Sequence, residues 1–480
     1  MKLLNKAVFA VFAGLALSAA QVQAAPAAGK AKNVILMISD GAGINTWRAA
    51  SYYRHGALGK EVYDKFPVQL FVSTHPLNTS KQPTFSNRNA VRFDSEKLWD
   101  NKRSDAQYKG EKASYPSRFA GYHYAQNDFT DSAAAATALA TGMKTYNNAI
   151  GWSNDDKPLK NIGEYVANSG KALGVLTSVQ WSHATPAGFL SHNRSRNNYA
   201  EIAKEAVESG RADVIMGAGH PKFDKNGLPA AAGDDKAYQY VGGKETWDKL
   251  AAGKTPYKLI ESKQDFINLA NGKLDLGGKT KILGTAQNHT TLQFDRNGNA
   301  AGGQLANQPD LATMTKGALN VVSRNPKGFF LMVEGGAVDW AAHANNLPRL
   351  VEEQTDFNRA VEAAVNWVEK NSSWNETLIM VTTDHGNGFL QGPDSDRNFY
   401  NPIVNQGAGK LPLARWHTDN HTRELVPVYA HGAGAEYLLT AAKSEPKLGT
   451  YFNVPKPAQK FVDNTHIFRT AMHALGLRRH

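Results

Sequence analysis

Five short runs of the chain are apolar without the alternation of a half-buried strand: NVILMIS (33–39), ALGVLTS (172–178), ADVIMG (212–217), FFLMV (329–333) and TLIMVTT (377–383). A strand that is apolar at every position has to be covered on both faces, the condition of a parallel strand flanked by helices. Segments with helical spacing separate these runs. NIGEYVANSG precedes the second, NNYAEIAKEAVESG precedes the third, and PRLVEEQTDFNRAVEAAVNWVEKN lies between the last two. The first two segments close on Gly, and the last opens on Pro348, near a first helical position. This alternation predicts an α/β fold: a doubly wound, mostly parallel central sheet with helices on both faces and inserted surface loops. TRELVPVYAHG, which directly follows His421, adds a late strand and turn.

No linker-like break interrupts the strand signals, so residues 25–480 are expected to form one large domain. A polar, mixed-charge segment at about 77–128 is expected to be an insertion, and 220–310 is rich in turn signals such as KFDKNGLP and FDRNGNAAGG. The first 24 residues have Lys2 and Lys6, an apolar stretch, then Val22-Gln23-Ala24. That is the pattern of a cleaved secretory signal peptide, and it implies a periplasmic or secreted protein. No later segment is long and apolar enough to span a bilayer.

Composition narrows the chemistry. The chain contains no Cys, which excludes thiol catalysis and thiolate metal sites and leaves His, Asp, Glu and oxygen donors for any metal. The formal charge of +11 suits anionic substrates, but the Lys and Arg residues are scattered and no nucleic-acid motif occurs, so no nucleic-acid partner is expected.

In an open α/β sheet, ligands bind beyond the carboxyl ends of the strands. Three of the runs end in hard-cation or imidazole ligands beside Gly: Asp40-Gly41, Glu334-Gly335-Gly336 and Asp384-His385-Gly386. Asp339 and His343 follow at i, i+4, one face of a helical turn. WHTDNHTREL adds His417 and His421, between which spacing does not choose. TDSAAAATALATG (130–142) reads as a helix closed by Gly142 and capped by Asp131 or Ser132. A Ser hydroxyl at such an N-terminus is placed where free N–H groups and the dipole favour phosphate. SHATPAGFLSHNRSR (182–196) offers the Thr185 hydroxyl for a cation and the Arg194 and Arg196 guanidinium groups for phosphate oxygens. A Cys-free site of Asp, Glu and His points to Zn, Mg or Mn and to hydrolysis of phosphate esters, and metal coordination would activate an otherwise inert Ser.

Together these pieces resemble the alkaline phosphatase family. DSAAAATALATG is similar to its nucleophile motif, VEGGAVDWAAH and TTDHGNG to two of its metal-ligand motifs, and the likeness runs in order from SDGAG to NHTREL. The resemblance implies Ser132 as nucleophile and two zinc ions, one held by Asp339, His343 and His421, the other by Asp40, Asp384, His385 and the Ser132 oxygen. It implies a third site, usually magnesium, at Asp40, Thr185 and Glu334. Arg196, 13 residues after His183, takes the phosphate-gripping position, and His421 is preferred to His417 by the run that follows it. His183 and Trp340 stand where the best-known bacterial form has Asp and Lys, and with Asp131 they are expected just behind the ligands. The implied activity is an exported phosphate monoesterase of broad range that works through a phosphoserine, binds inorganic phosphate and forms a homodimer. A phosphodiesterase of the same superfamily and a non-catalytic exported phosphate- or metal-binding protein are the rivals.

Overall fold

The computed structural model describes residues 31–104, 115, 119–230, 234–298 and 302–479; the expected signal peptide lies outside them. The strands are β1 (Asn33–Ser39), β2 (Val68–Ser73), β3 (Ala172–Gln180), β4 (Val214–Ala218), β5 (Tyr257–Ile260), β6 (Lys281–Thr285) and β7 (Phe329–Gly335). They continue with β8 (Thr377–Thr382), β9 (Gly386–Asn387), β10 (His421–Thr422), β11 (Val426–Gly432), β12 (Lys443–Ser444) and β13 (Lys460–Asp463). Eleven of them form one sheet in the order β12-β13-β2-β11-β8-β1-β7-β3-β4-β6-β5, while β9 and β10 pair as a small ribbon. From β8 to β5 every neighbouring pair is parallel; β11 runs antiparallel to both β8 and β2.

The continuous apolar runs behave as their composition requires. All seven residues of β1 are buried. Val34, Leu36 and Ile38 point into one core, with Leu139 and Ala140 of the helix Ser132–Thr141 and Ile467 and Phe468 of the helix Thr465–Ala474. Ile35 and Met37 point into the opposite core, with Leu319 of the helix Leu311–Val322 and Phe357 and Val361 of the helix Leu347–Asn371. Helices therefore cover both faces of the sheet, and alternate side chains of one strand serve two cores.

β1 lies at the centre, between β7 and β8, with Ile38 opposite both Glu334 and Thr382. β3 lies beyond β7, with Thr177 opposite Glu334. The carboxyl ends of β8, β1, β7 and β3 therefore open side by side, which brings Asp384, Asp40, Glu334 and the 182–196 stretch to one edge although hundreds of residues separate them in sequence.

The described parts of 77–128 do not stand off as a free arm. Leu98, Trp99, Phe119 and Tyr122 are buried in an aromatic cluster with Phe389, Tyr400 and Phe452. The Tyr115 hydroxyl hydrogen-bonds the Asn345 side chain, two residues beyond His343.

Candidate active site

Asp131 is the N-cap of the helix Ser132–Thr141: its Oδ1 accepts from Ala134 N at 2.9 Å, and Gly142 closes the helix in the left-handed region at φ 68°. Of the two capping candidates, Asp131 takes the cap and Ser132 becomes the first helical residue. Ser132 is buried, and its Oγ lies 3.2 Å from His385 Nε2.

Around Ser132 the ends of the central strands gather their carboxylates. Asp40 Oδ1 is 3.5 Å and Asp384 Oδ2 3.1 Å from His385 Nε2. Gly41, at φ +69°, lets the chain turn directly after Asp40. A Cβ there would lie 2.6 Å from Asp339 Oδ1, and the Gly41 N–H donates to Asp384 Oδ1 at 3.1 Å. Asp339 and His343 share one face of the helix Ala337–His343, with His343 Nε2 3.4 Å from Asp339 Oδ2. The β9–β10 ribbon carries His421 to the same place, its Nε2 3.3 Å from Asp339 Oδ1 and 3.0 Å from His343 Nε2. Thr185 Oγ1 lies 3.5 Å from Asp40 Oδ2, and Glu334 accepts a hydrogen bond from the Thr177 hydroxyl.

Whether these residues suit metal ions can be tested on their protons. Each of the three histidines directs Nδ1 at a backbone carbonyl: His343 at Asp419 O (2.7 Å), His421 at Thr130 O (2.9 Å) and His385 at Gly386 O (3.2 Å). A neutral imidazole that donates through Nδ1 presents an Nε2 lone pair, and here all three Nε2 atoms face carboxylates. Asp339, His343 and His421 bring ligand atoms within 4.8 Å of one another, as do Asp40, Asp339 and His385. Asp40 Oδ1 and Glu334 Oε1 are buried without a hydrogen-bond partner. Burial, with the charges of Asp384, Asp339 and Glu334, pushes the Asp40 carboxyl well above its usual range. Burial pushes Glu334 up to about 7 against the hydrogen bonds from Thr177 and Thr185. Burial would raise Asp339 too, but His343 and His421 outweigh it and hold Asp339 low. Converging lone pairs and crowded, dry carboxylates are what cations neutralise, so the donor set fits them.

Arg196 faces this cluster from the 182–196 stretch. Its Nη1 lies 3.1 Å from Asp131 Oδ2 and its Nη2 3.4 Å from His183 Nε2. Arg194 points elsewhere: it is exposed, its Nε and Nη2 donating to Asp156 at 2.6 and 2.8 Å. His417 is also remote from the cluster. It is buried against Tyr122, with its Nε2 2.7 Å from Ser395 Oγ.

A cavity of about 500 Å³ opens over the cluster. Ser132, Arg196, Asp339, His343 and His421 form its polar side, and His183, Phe294 and Trp340 its ring-lined side. A larger cleft, about 690 Å³, lies among Asn78, Arg92, Tyr124 and Arg423 and contains none of these residues.

A sequence model of the family described as alkaline phosphatase matches residues 84–434. The chain belongs to the alkaline phosphatase family. Alkaline phosphatase 4 of Bacillus subtilis (strain 168) is 30% identical over 372 residues, covering 64% of this chain and 73% of the relative. The alkaline phosphatase of Escherichia coli (strain K12) is 27% identical over 485 residues, covering 93% and 87%. A variant of the TAB5 alkaline phosphatase, solved with Mg bound in its M3 site, superposes with a TM-score of 0.60 at 22% identity, covering 94% of this chain and all of that one. The structural likeness establishes the shared fold, and the family makes this alkaline phosphatase a metal-dependent phosphatase.

The residues the resemblance implied as nucleophile, ligands and phosphate-binding arginine gather at this one edge of the sheet, Arg194 and His417 do not, and His183 and Trp340, expected behind the ligands, line the cavity instead. Several neighbours were not foreseen. Phe294 sits in the turn-rich 220–310 region, where nothing marked it beyond being aromatic. Thr177 lies within a strand, and Asn387, which donates to Asp339 Oδ1 at 2.6 Å, lies in a two-residue strand. Their importance comes only from which strand lies beside which.

Proposed function

We propose that this alkaline phosphatase is an exported hydrolase of phosphate monoesters, of broad range, that works through a phosphoserine at Ser132. The single observation that carries the reading is Ser132 Oγ, buried at a helix N-terminus and facing His385 Nε2 among converging metal-type ligands.

Asp339, His343 and His421 would hold one zinc ion. Asp40, Asp384 and His385, with the Ser132 oxygen, would hold a second. Asp40, Thr185 and Glu334 would hold magnesium, the ion bound in the M3 site of a His-to-Glu variant of the TAB5 enzyme. Such cations supply Lewis acidity, favouring the Ser132 alkoxide and the departing alkoxide at moderate pH.

The chain's own groups do the rest. The Arg196 guanidinium holds two non-bridging oxygens of the substrate as a fork, and Asp131 keeps that fork facing Ser132. Ser132 Oγ attacks phosphorus in line: the Oγ–P bond forms, the P–O ester bond breaks, and the leaving alcohol gains a proton. Water then attacks phosphorus from the face the alcohol left, opposite Oγ: the new O–P bond forms, the Oγ–P bond breaks, inorganic phosphate leaves, and a proton from the water restores the Ser132 hydroxyl. The free N–H groups of the helix start favour the phosphoryl charge throughout.

A chromogenic monoester assay with and without chelator tests the reading. Hydrolysis that chelation abolishes and zinc with magnesium restores is expected. Faster cleavage of a diester than of the matching monoester would favour the phosphodiesterase rival. Tight phosphate binding without turnover would favour a binding protein. Homodimerisation and release of the leader near Ala24 belong to the same proposal.

A further inference from the structure

The ring-lined side of the cavity is a continuous row. His183 lies 3.4 Å from Arg196 Nη2, meets Trp340 at 5.7 Å and 62°, and Trp340 meets Phe294 at 6.4 Å and 83°. The row runs from the guanidinium outward. Trp340 and Phe294 are only half-buried, and both line the cavity. In-line attack by Ser132 sends the leaving oxygen away from the helix start, so the organic group of the ester is left to lie along the remaining wall. Two rings at nearly a right angle leave a corner in which a third flat ring can stack on one and meet the edge of the other.

A lone Phe on a surface turn would ordinarily pay an ordering cost on binding. Phe294 does not, because the turn beyond it is clamped. Arg296 forks onto Glu352 at 2.6 and 2.8 Å, and Arg349 joins Glu352 at 3.2 Å and Gly298 O at 2.7 Å. All three charged side chains are buried. The long helix Leu347–Asn371, which follows the Asp339–His343 turn, thus fixes Phe294 relative to the reacting centre.

We propose that Phe294 and Trp340 form a preorganised aromatic wall that, within a broad substrate range, favours phosphate monoesters whose alcohol carries a flat aromatic ring near the ester oxygen; this rests on the monoesterase reading above. The test compares 2-phenylethyl phosphate with 2-cyclohexylethyl phosphate, whose leaving alcohols are alike in size and acidity, so that only flatness differs. The wild type should favour the phenyl ester in kcat/KM by about 3- to 10-fold. Phe294→Ala should bring that ratio close to one and Phe294→Tyr should keep it. Phe294→Leu, apolar and of similar volume, serves if the alanine variant does not fold, and should also lose the preference. Calorimetric binding of the two corresponding phosphonates, which cannot turn over, should show the same order. Equal rates on both esters in the wild type, or a preference that survives in folded Phe294→Ala and Phe294→Leu, would overturn the wall alone. Release of no phosphate from either ester would instead overturn the monoesterase reading beneath it.

Discussion

Asp131 and Arg196 are joined at 3.1 Å across 65 residues of sequence, and the same Asp131 side chain caps the helix that presents Ser132. One carboxylate therefore positions both the start of the helix that carries Ser132 and the Arg196 guanidinium. The arrangement keeps Arg196 charged: burial opposes the charge, but Asp131 outweighs burial and raises the guanidinium further.

Arg196→Ala is expected to weaken inhibition by inorganic phosphate and to lower kcat/KM by an amount equivalent to roughly 1.5–3 kcal/mol, the loss of a charge-assisted fork. Arg194→Ala, which breaks an exposed pair with Asp156 and a contact with the Trp152 ring, both away from the cavity, should change either quantity little. Steady-state kinetics with phosphate as inhibitor decide it, and a larger effect at Arg194 would mean that the 182–196 stretch is read wrongly.

Removing Asp131 should act twice. Asp131→Ala leaves the helix without its cap, costing about 1 kcal/mol in thermal or urea unfolding, and frees Arg196 to wander. Rescue should be partial in Asp131→Asn, which can cap but carries no charge to hold the guanidinium. The expected signature is a near-normal melting temperature in Asp131→Asn with a raised KM.

Alkaline pH should loosen the stretch that carries Arg196. His192 lies between Glu164 Oε2 at 3.1 Å and Glu205 Oε1 at 2.9 Å, with Arg211 beside both acids. Burial lowers its affinity for a proton, but the hydrogen bonds to the two glutamates outweigh burial and raise it to about 9. A histidine raised on folding contributes stability that is fully present below its unfolded value near 6.5 and is lost as pH rises through the folded value. The window is thus about pH 6.5 to 9, and the loss at most about 3 kcal/mol. Unfolding free energies measured across that window should fall, and the fall should be shallower in His192→Asn.

Chelation should unfold the site's order as well as stop turnover. Without cations, the buried carboxylates of Asp40, Glu334, Asp339 and Asp384 are crowded together, with three imidazoles and a few neutral donors among them. The melting temperature should drop on treatment with chelator and recover with zinc and magnesium. An unchanged melting temperature in protein shown to be metal-free would count against the ligand assignment.

The sheet's centre was legible in sequence because β1, β7 and β8 are buried on both faces and so carry unbroken apolar runs through their middles. The edges were not. β5 spans four residues with its two middle positions half-exposed, and β12 only two exposed ones, too short for any period to show. Asp40, Glu334, Asp384 and His385 could be read because they close recognisable strands, and Asp339 and His343 because they sit at i, i+4, whereas Thr185 and His421 were assigned only by the resemblance. The Arg296–Glu352 clamp, Phe294 and the backbone carbonyls that orient His343 and His421 could not, since they depend on contacts between segments far apart in the chain.

Ser132 Oγ, not water, is expected to make the first attack on phosphorus. Two successive in-line displacements each invert phosphorus, so hydrolysis of a monoester made chiral at phosphorus should proceed with net retention of configuration. Ser132→Ala should lose the phosphoenzyme and the transfer of phosphoryl groups to added amino-alcohol. Net inversion by the wild-type enzyme would contradict the account, leaving Ser132 as the first residue of a capped helix and nothing more.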